Sequence, residues 1–314
     1  MLTVMYRPDD LPSALRGRAF TSATAAEHGV SRRVLQGRHF RQVHRGVYVP
    51  TGTAATPALL TQADLLRLPD DAHLSHVTGL QWLGIDVGTP VPRHYSTNTG
   101  AQTSMRDVVL HRRQAPLRGW EVRGVRVLLP ARLVVDAAAM LSPAELVAVT
   151  DQLVRRDLLH EDGLAGFAWA HHLDGVRAAR VAAPHVRRRV DSLPETGLRL
   201  LLVSSGLPEP EVNIEIVDDH GDFLARGDLV YRWVKVLVEH DGRHHAEDPQ
   251  QWHKDLARRE RLEAAGWIVV VVTGADLQAP ASVVRRVWQA LRRRGHDGPP
   301  PIYDRYRWRT LRDV

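Results

Sequence analysis

The sequence predicts a multi-domain α/β protein, and three observations carry that prediction. A short helix, a turn, a second helix and a basic strand pair follow one another over residues 11–50. Residues 191–295 alternate element types in the order α-β-β-β-α-β-α. Between these stretches lies a mixture of helical and strand patterns with no internal repeat. At 314 residues the chain is long enough for two or three domains, each with its own core. The expected division is 1–55, 56–160, a helical linker over 161–190, 191–295, and a basic tail over 296–314.

In the first segment, Phe20 to Val30 reads as a short helix stopped at Gly29, and Ser31 caps a second helix through Arg32, Arg33, Val34 and Leu35. Arg41 to Pro50 then reads as extended chain with a turn at Arg45-Gly46. That order is the order of a winged helix-turn-helix, whose second helix enters the major groove of DNA. Arg32 and Arg33 at the start of that helix, with Arg41 and Arg45 on the wing, are the expected DNA contacts.

The middle segment predicts a helix over His73–Gly84 and strands over Val108–Leu110 and Val125–Leu129. A long helical pattern follows from Leu133 to Arg156, interrupted near Ser142-Pro143. No catalytic set emerges here. His73, His76, His111 and the Arg112-Arg113 pair read as surface or core-edge residues.

Composition narrows the class of function. The formal net charge is +6, and of the 42 basic residues all but Lys235 and Lys254 are arginine. Arginine binds phosphate in a bidentate fork, so DNA is a plausible partner, although a solvated basic surface has the same composition. The absence of cysteine excludes disulfides and thiolate metal sites. No apolar run reaches the roughly 18 residues a membrane helix needs, and residues 1–10 lack the pattern of a signal peptide. No membrane partner and a cytoplasmic location are therefore expected.

In the third segment, Leu193 to Ser205 is an apolar helix ended by Gly206. Val212–Val217, Phe223–Tyr231 and Trp233–Glu239 read as strands, the first two joined by the turn Asp219-His220-Gly221-Asp222. Asp248 caps a helix that begins at Pro249 and stops at Gly266. Ile268 to Val272 is a continuous β-branched run, as in a strand buried on both faces. A last helix covers Ala281–Arg294.

Asp228 lies within the second of these strands, and Glu239 and Asp241 lie at the end of the third. Strand alternation puts Glu239 and Asp241 on one face and His240 on the other. Carboxylates gathered in this way repel one another unless a cation lies between them, and an oxygen donor set suits Mg²⁺ or Mn²⁺. Asp241-Gly242 also serves as a plain turn. His244 and His245 follow that turn. Lys254, Arg258 and Arg261 recur at i, i+4 and i+7, forming a basic stripe that either meets a phosphate backbone or is simply solvated. Ser192-Leu193-Pro194-Glu195 is a capping-box pattern, which gives Glu195 a structural role as well.

Several of these residues form a familiar set. They are Pro194-Glu195, Gly206 to Val212, Arg226-Gly227-Asp228-Leu229, Val238 to His245, Arg258 to Leu262 and Ala265-Gly266-Trp267. Together they resemble the endonuclease-like domain related to very-short-patch repair enzymes, within the PD-(D/E)XK nuclease superfamily. The resemblance implies a restriction-endonuclease-like mixed sheet flanked by helices. It also implies a metal held by Asp228 and Glu239, an acid contributed by Glu195, and further catalytic roles for Asp241 and His245. Gly227 stands where the superfamily has proline, and Asp241 where it usually has lysine, which leaves the general base to His244 or His245. Thr21–Pro50, Leu74–Gly84 and Pro130–Asp136 are similar to the abortive-infection type IV antitoxins, whose winged helix binds promoter DNA.

The sequence thus predicts a metal-dependent DNA endonuclease targeted by an N-terminal DNA-binding domain. Its rival is a non-catalytic repressor or antitoxin with a degenerate nuclease fold and a partner toxin. Either form admits a homodimer.

Overall fold

The computed structural model describes residues 11–241 and 249–304, together with Arg307 and Leu311; the side chains of 249–255 lie outside that description. The chain divides into two compact units, Met1–Leu83 with Gly88–Leu129, and Gly84–Val87 with Pro130–Val314. Both are mixed α/β, and three sheets are present among the described residues.

The first unit begins with β1 (Phe20–Thr21), α1 (Ser22–Glu27), α2 (Arg32–Leu35), β2 (Phe40–His44) and β3 (Val47–Pro50). The strands form an antiparallel sheet in the order β1-β3-β2. The first helix starts two residues later than the sequence predicts, because Phe20 and Thr21 pair with Tyr48 and Val47. Thr21 then caps α1, its hydroxyl accepting from the Thr24 amide at 3.1 Å. Leu15, Phe20, Ala25, Val30, Leu35 and Phe40 close a small core beneath this sheet.

The same unit continues with α3 (Pro57–Leu65), β4 (His73–Leu74), α4 (His76–Trp82), β5 (Arg93–Thr97), β6 (Val108–Arg112), β7 (Gly119–Val122) and β8 (Val125–Leu128). Their sheet has the order β6-β5-β4-β8-β7, with β5–β6 and β4–β8 parallel. The helix expected from His73 starts at His76, since His73 and Leu74 are drawn into the sheet against Ser96 and Tyr95. β5 is polar yet wholly buried. Its burial is possible because Arg93 Nε and Nη2 donate to the Asp64 carboxylate at 2.5 and 2.9 Å, and the Tyr95 hydroxyl donates to it at 2.8 Å. His44 Nε2 lies 2.7 Å from the same carboxylate. A buried charge left unpaired would cost several kcal/mol; here the ion pair is fully hydrogen-bonded.

The second unit opens with α5 (Pro130–Ala137), α6 (Pro143–Arg155), α7 (Gly163–Ala170) and α8 (Val176–Ala182). The break between α5 and α6 falls where the sequence predicts it, and its cause is a capping box between Ser142 and Glu145. Residues 161–190, read from sequence as a linker, supply α7 and α8, which pack on α5 and α6. Then come α9 (Leu193–Ser204), β9 (Glu211–Val217), β10 (Phe223–Tyr231), β11 (Val236–Asp241), α10 (Pro249–Ala264), β12 (Ile268–Thr273) and α11 (Pro280–Arg293). The sheet order is β12-β11-β10-β9, with β11–β12 parallel and the other pairs antiparallel. Helices α9 and α11 cover one face through Leu198, Leu202, Val283 and Val287, while Leu262 of α10 packs on the other face with Ile214, Ile216 and Leu237.

β11 begins at Val236 rather than Trp233. Arg232–Val234 form a single 3-10 turn, Lys235 adopts φ 50°, and Trp233 is 60% exposed. None of the described helices is long and apolar enough to cross a membrane.

Candidate active site

The position of α9 is set from below by Asp151 of α6. Its fully buried carboxylate accepts from the Thr196 hydroxyl at 2.7 Å and from the Arg187 amide at 2.7 Å, and Arg199 Nη2 lies 3.5 Å away. Burial pushes the Asp151 carboxyl up to about 6 against the pull of Arg199. These bonds hold the first turns of α9, and with them Glu195, against α6.

Ser192 caps α9, and Glu195 bonds back to the Ser192 hydroxyl and the Asp191 amide rather than to the Ser192 amide that a capping box would use. The Ser192 hydroxyl accepts from the Glu195 amide at 3.3 Å and donates to Glu195 Oε1 at 2.8 Å, and the Asp191 amide donates to Oε2 at 3.0 Å. Oε2 also accepts from the Asn213 side-chain amide at 2.8 Å. Capping and proximity to the acids are therefore compatible, because the charge of Glu195 still bears on Asp228. Asn213 went unnoticed in the sequence, although a lone amide within Val212–Ile216 was its signal. It takes φ 50°, and the alternation of β9 breaks there: Val212 packs on the α9 side, whereas Ile214 and Ile216 both join the α10 side.

The register Leu229↔Val238, extended by one residue, sets Asp228 opposite Glu239. The His240 amide donates to Asp228 Oδ2 at 2.9 Å. Burial raises the Asp228 carboxyl to about 6; the His240 bond opposes this, the Glu195 and Glu239 charges add to it, and Arg258 lowers it. Asp228 thus sits among like charges in a desolvated place.

Glu239 lies on the Leu237 side of β11 and meets Arg258 of α10. The guanidinium forks onto the carboxylate, with Nη1–Oε2 at 3.2 Å and a closer Nη2–Oε1 contact, and Nη2 also reaches the Arg226 carbonyl at 3.2 Å. Asp241 is half-buried at the end of β11, opposite Thr273 of β12. Arg261 is exposed. His244, His245 and the helix cap Asp248 fall outside the described residues, as does the Lys254 side chain.

Oxygen donors of this kind fit a hard divalent ion. Burial is the first cause of the raised Asp228 carboxyl and the charges of Glu195 and Glu239 add to it, so a cation bound there would offset both. The acids are nevertheless looser than a closed cage. Among the described residues, the one group of three histidine or carboxylate donors all within 4.8 Å of one another is His76, His94 and His111.

Gly227, the departure from proline, has a packing reason. A Cβ there would stand 2.5 Å from Leu237 Cδ1, 2.7 Å from Val230 Cγ2 and 3.1 Å from Ile216 Cδ1. In the first unit, Arg32, Arg33, Arg41 and Arg45 are all exposed, on α2, β2 and the β2–β3 turn.

No family model matches the chain, and no solved structure matches it. Two curated proteins are similar to it, both uncharacterized proteins of Mycobacterium tuberculosis, from strains CDC 1551 / Oshkosh and ATCC 25618 / H37Rv. Each is 28% identical over 120 residues, which is 38% of this chain. The match spans 44% of the length of those relatives, less than half of each.

Proposed function

We propose that residues 191–295 form a PD-(D/E)XK-type nuclease domain resembling that of very-short-patch repair enzymes, and that the chain hydrolyses phosphodiester bonds in DNA with Mg²⁺ or Mn²⁺. The observation that carries this reading is the desolvated Asp228 placed opposite Glu239 and within the field of Glu195. Asp228 and Glu239 would hold the ion. When bound, such an ion polarises the phosphate and lowers the pKa of an attacking water. Glu195 is fixed by Ser192, Asp191 and Asn213, and so keeps a negative charge beside the site without swinging into it. Arg258 is the cation at hand for a phosphate oxygen once Glu239 turns to the metal. The exposed arginines of residues 20–50, read as a winged helix, would bring the domain to duplex DNA.

One observation favours the rival reading, a repressor or antitoxin that has lost catalysis. The Arg258 guanidinium already neutralises Glu239, as a structural ion pair would. Incubating the protein with supercoiled, linear and mismatched DNA in Mg²⁺, Mn²⁺ or EDTA separates the two. The nuclease reading expects metal-dependent cleavage that falls by orders of magnitude in Asp228→Asn while DNA binding persists. Absence of cleavage with every divalent ion, with repression or toxin neutralisation intact in Asp228→Asn, leaves the repressor.

A further inference from the structure

We propose that His76, His94 and His111 form a second site, independent of the acidic one, which binds a single divalent transition-metal ion of the zinc type and leaves a fourth position open to an anion. The three side chains come from different elements. His94 and His111 lie on the neighbouring parallel strands β5 and β6, where the register pairs Ser96 with His111 and so puts His94 and His111 on one face. His76 is the first residue of α4, which packs over that face. One ring nitrogen from each histidine lies within 4.8 Å of the other two. The His94 Nδ1–His111 Nε2 separation is 2.9 Å. Two imidazole nitrogens on one tetrahedral zinc, each about 2.0–2.1 Å from the metal, stand about 3.3 Å apart. Without the ion these two nitrogens share a hydrogen bond and the His76 ring stacks on His111 with centroids 4.0 Å apart, so binding requires the rings to turn toward a common point as well as the nitrogens to separate.

The cluster is buried, with His76 6% and His94 7% exposed, and its three rings lie against one another. His76 also takes φ 53°, a left-handed conformation that a non-glycine residue keeps only when its surroundings impose it. Its Nδ1 lies 2.9 Å from the Ser75 hydroxyl, which fixes the ring.

The donor set selects the ion. Three neutral imidazoles with no carboxylate or thiolate suit Zn²⁺, Co²⁺, Ni²⁺ or Cu²⁺ and not Mg²⁺. Arg113 sets the remaining condition. Its Nε lies 3.3 Å from the Ser96 hydroxyl and its Nη2 3.5 Å from His76 Nε2, so a full positive charge borders the site. A dication with three neutral ligands beside a guanidinium holds surplus positive charge, and an anionic fourth ligand is what offsets it.

Titration of the metal-free full chain with Co²⁺ and Zn²⁺ tests the site. The expected result is one equivalent bound with the visible bands of tetrahedral Co²⁺, retained in Asp228→Asn and weakened at least about 100-fold in His111→Gln, consistent with loss of one of three ligands. Added azide shifts the bands if the fourth position is open; unchanged bands overturn that part. X-ray absorption of the zinc-loaded wild type needs no variant and should count three imidazole nitrogens. An oxygen-rich shell, a wild type that binds no metal at neutral pH, or a His111→Gln chain that binds as the wild type does overturns the proposal.

Discussion

Asp228 carries a carboxyl raised from 3.8 to about 6, so folding stabilises its protonated form. The stability this contributes is fully present below pH 3.8 and is lost as the pH rises through about 6. Asp151 titrates in the same window, but it is common to wild type and to an Asp228 variant and cancels in their difference. Asp228→Asn, which keeps the shape and cannot ionise, is therefore expected to match the wild type near pH 4 and to melt at a higher temperature above pH 7. Mg²⁺ should reverse that order by stabilising only the wild type, since a ligand that binds the folded state raises its stability. Melting curves from pH 4 to 8, with and without Mg²⁺, check both halves. A difference that does not grow with pH means that burial and the neighbouring acids do not raise the Asp228 carboxyl in this fold.

At the scale of elements, what the sequence made legible depended on how local the cause was. The run Ile268–Val272 is a strand because β-branched side chains fill both faces of a parallel pair, and α6 starts where Ser142 and Glu145 cap each other. Asp228 and Glu239 were legible for the same reason, lying on two strands consecutive in sequence. β5 was not legible, because Arg93, Tyr95 and Thr97 have no apolar period and are buried only through distant partners such as Asp64 and Asp71. For the same cause His94 had no signal of its own, and His76 and His111, which read as surface or core-edge residues, meet it only through the sheet, His76 being buried. Trp233 looked like strand by residue type, yet the left-handed Lys235 turns the chain before pairing begins. Gly227 looked like a mild departure and is in fact constrained by three side chains of the α10-side core. Gly227→Ala should destabilise the fold by about 1–3 kcal/mol, the range of an overpacked core, measured by urea unfolding. A variant as stable as the wild type would show that Leu237, Val230 and Ile216 swing clear.

Across the whole molecule, charge of both signs has to be reconciled with the polyanionic substrate of the proposed nuclease. The Glu195, Asp228 and Glu239 cluster repels phosphate unless a cation intervenes, so initial capture of DNA has to come from elsewhere on a chain of net charge +6. Arg32, Arg33, Arg41 and Arg45 are exposed and lie within fifteen residues of one another on a small three-stranded unit, which makes them the economical place for it. Each phosphate neutralised by such a side chain releases condensed counterions, and affinity falls with salt with a slope of about −0.9 per contact. Replacing Arg32 and Arg33 together by Ala should weaken duplex binding and flatten the plot of log affinity against log salt by about 1.8. Because α2 carries both side chains into solvent, its fold should be untouched, as circular dichroism can verify. Asp228→Asn, by contrast, should leave the slope where it was. An unchanged affinity and slope in the double variant would count against α2 as a recognition helix, and Arg41 and Arg45 of the strand pair would then be the next to test.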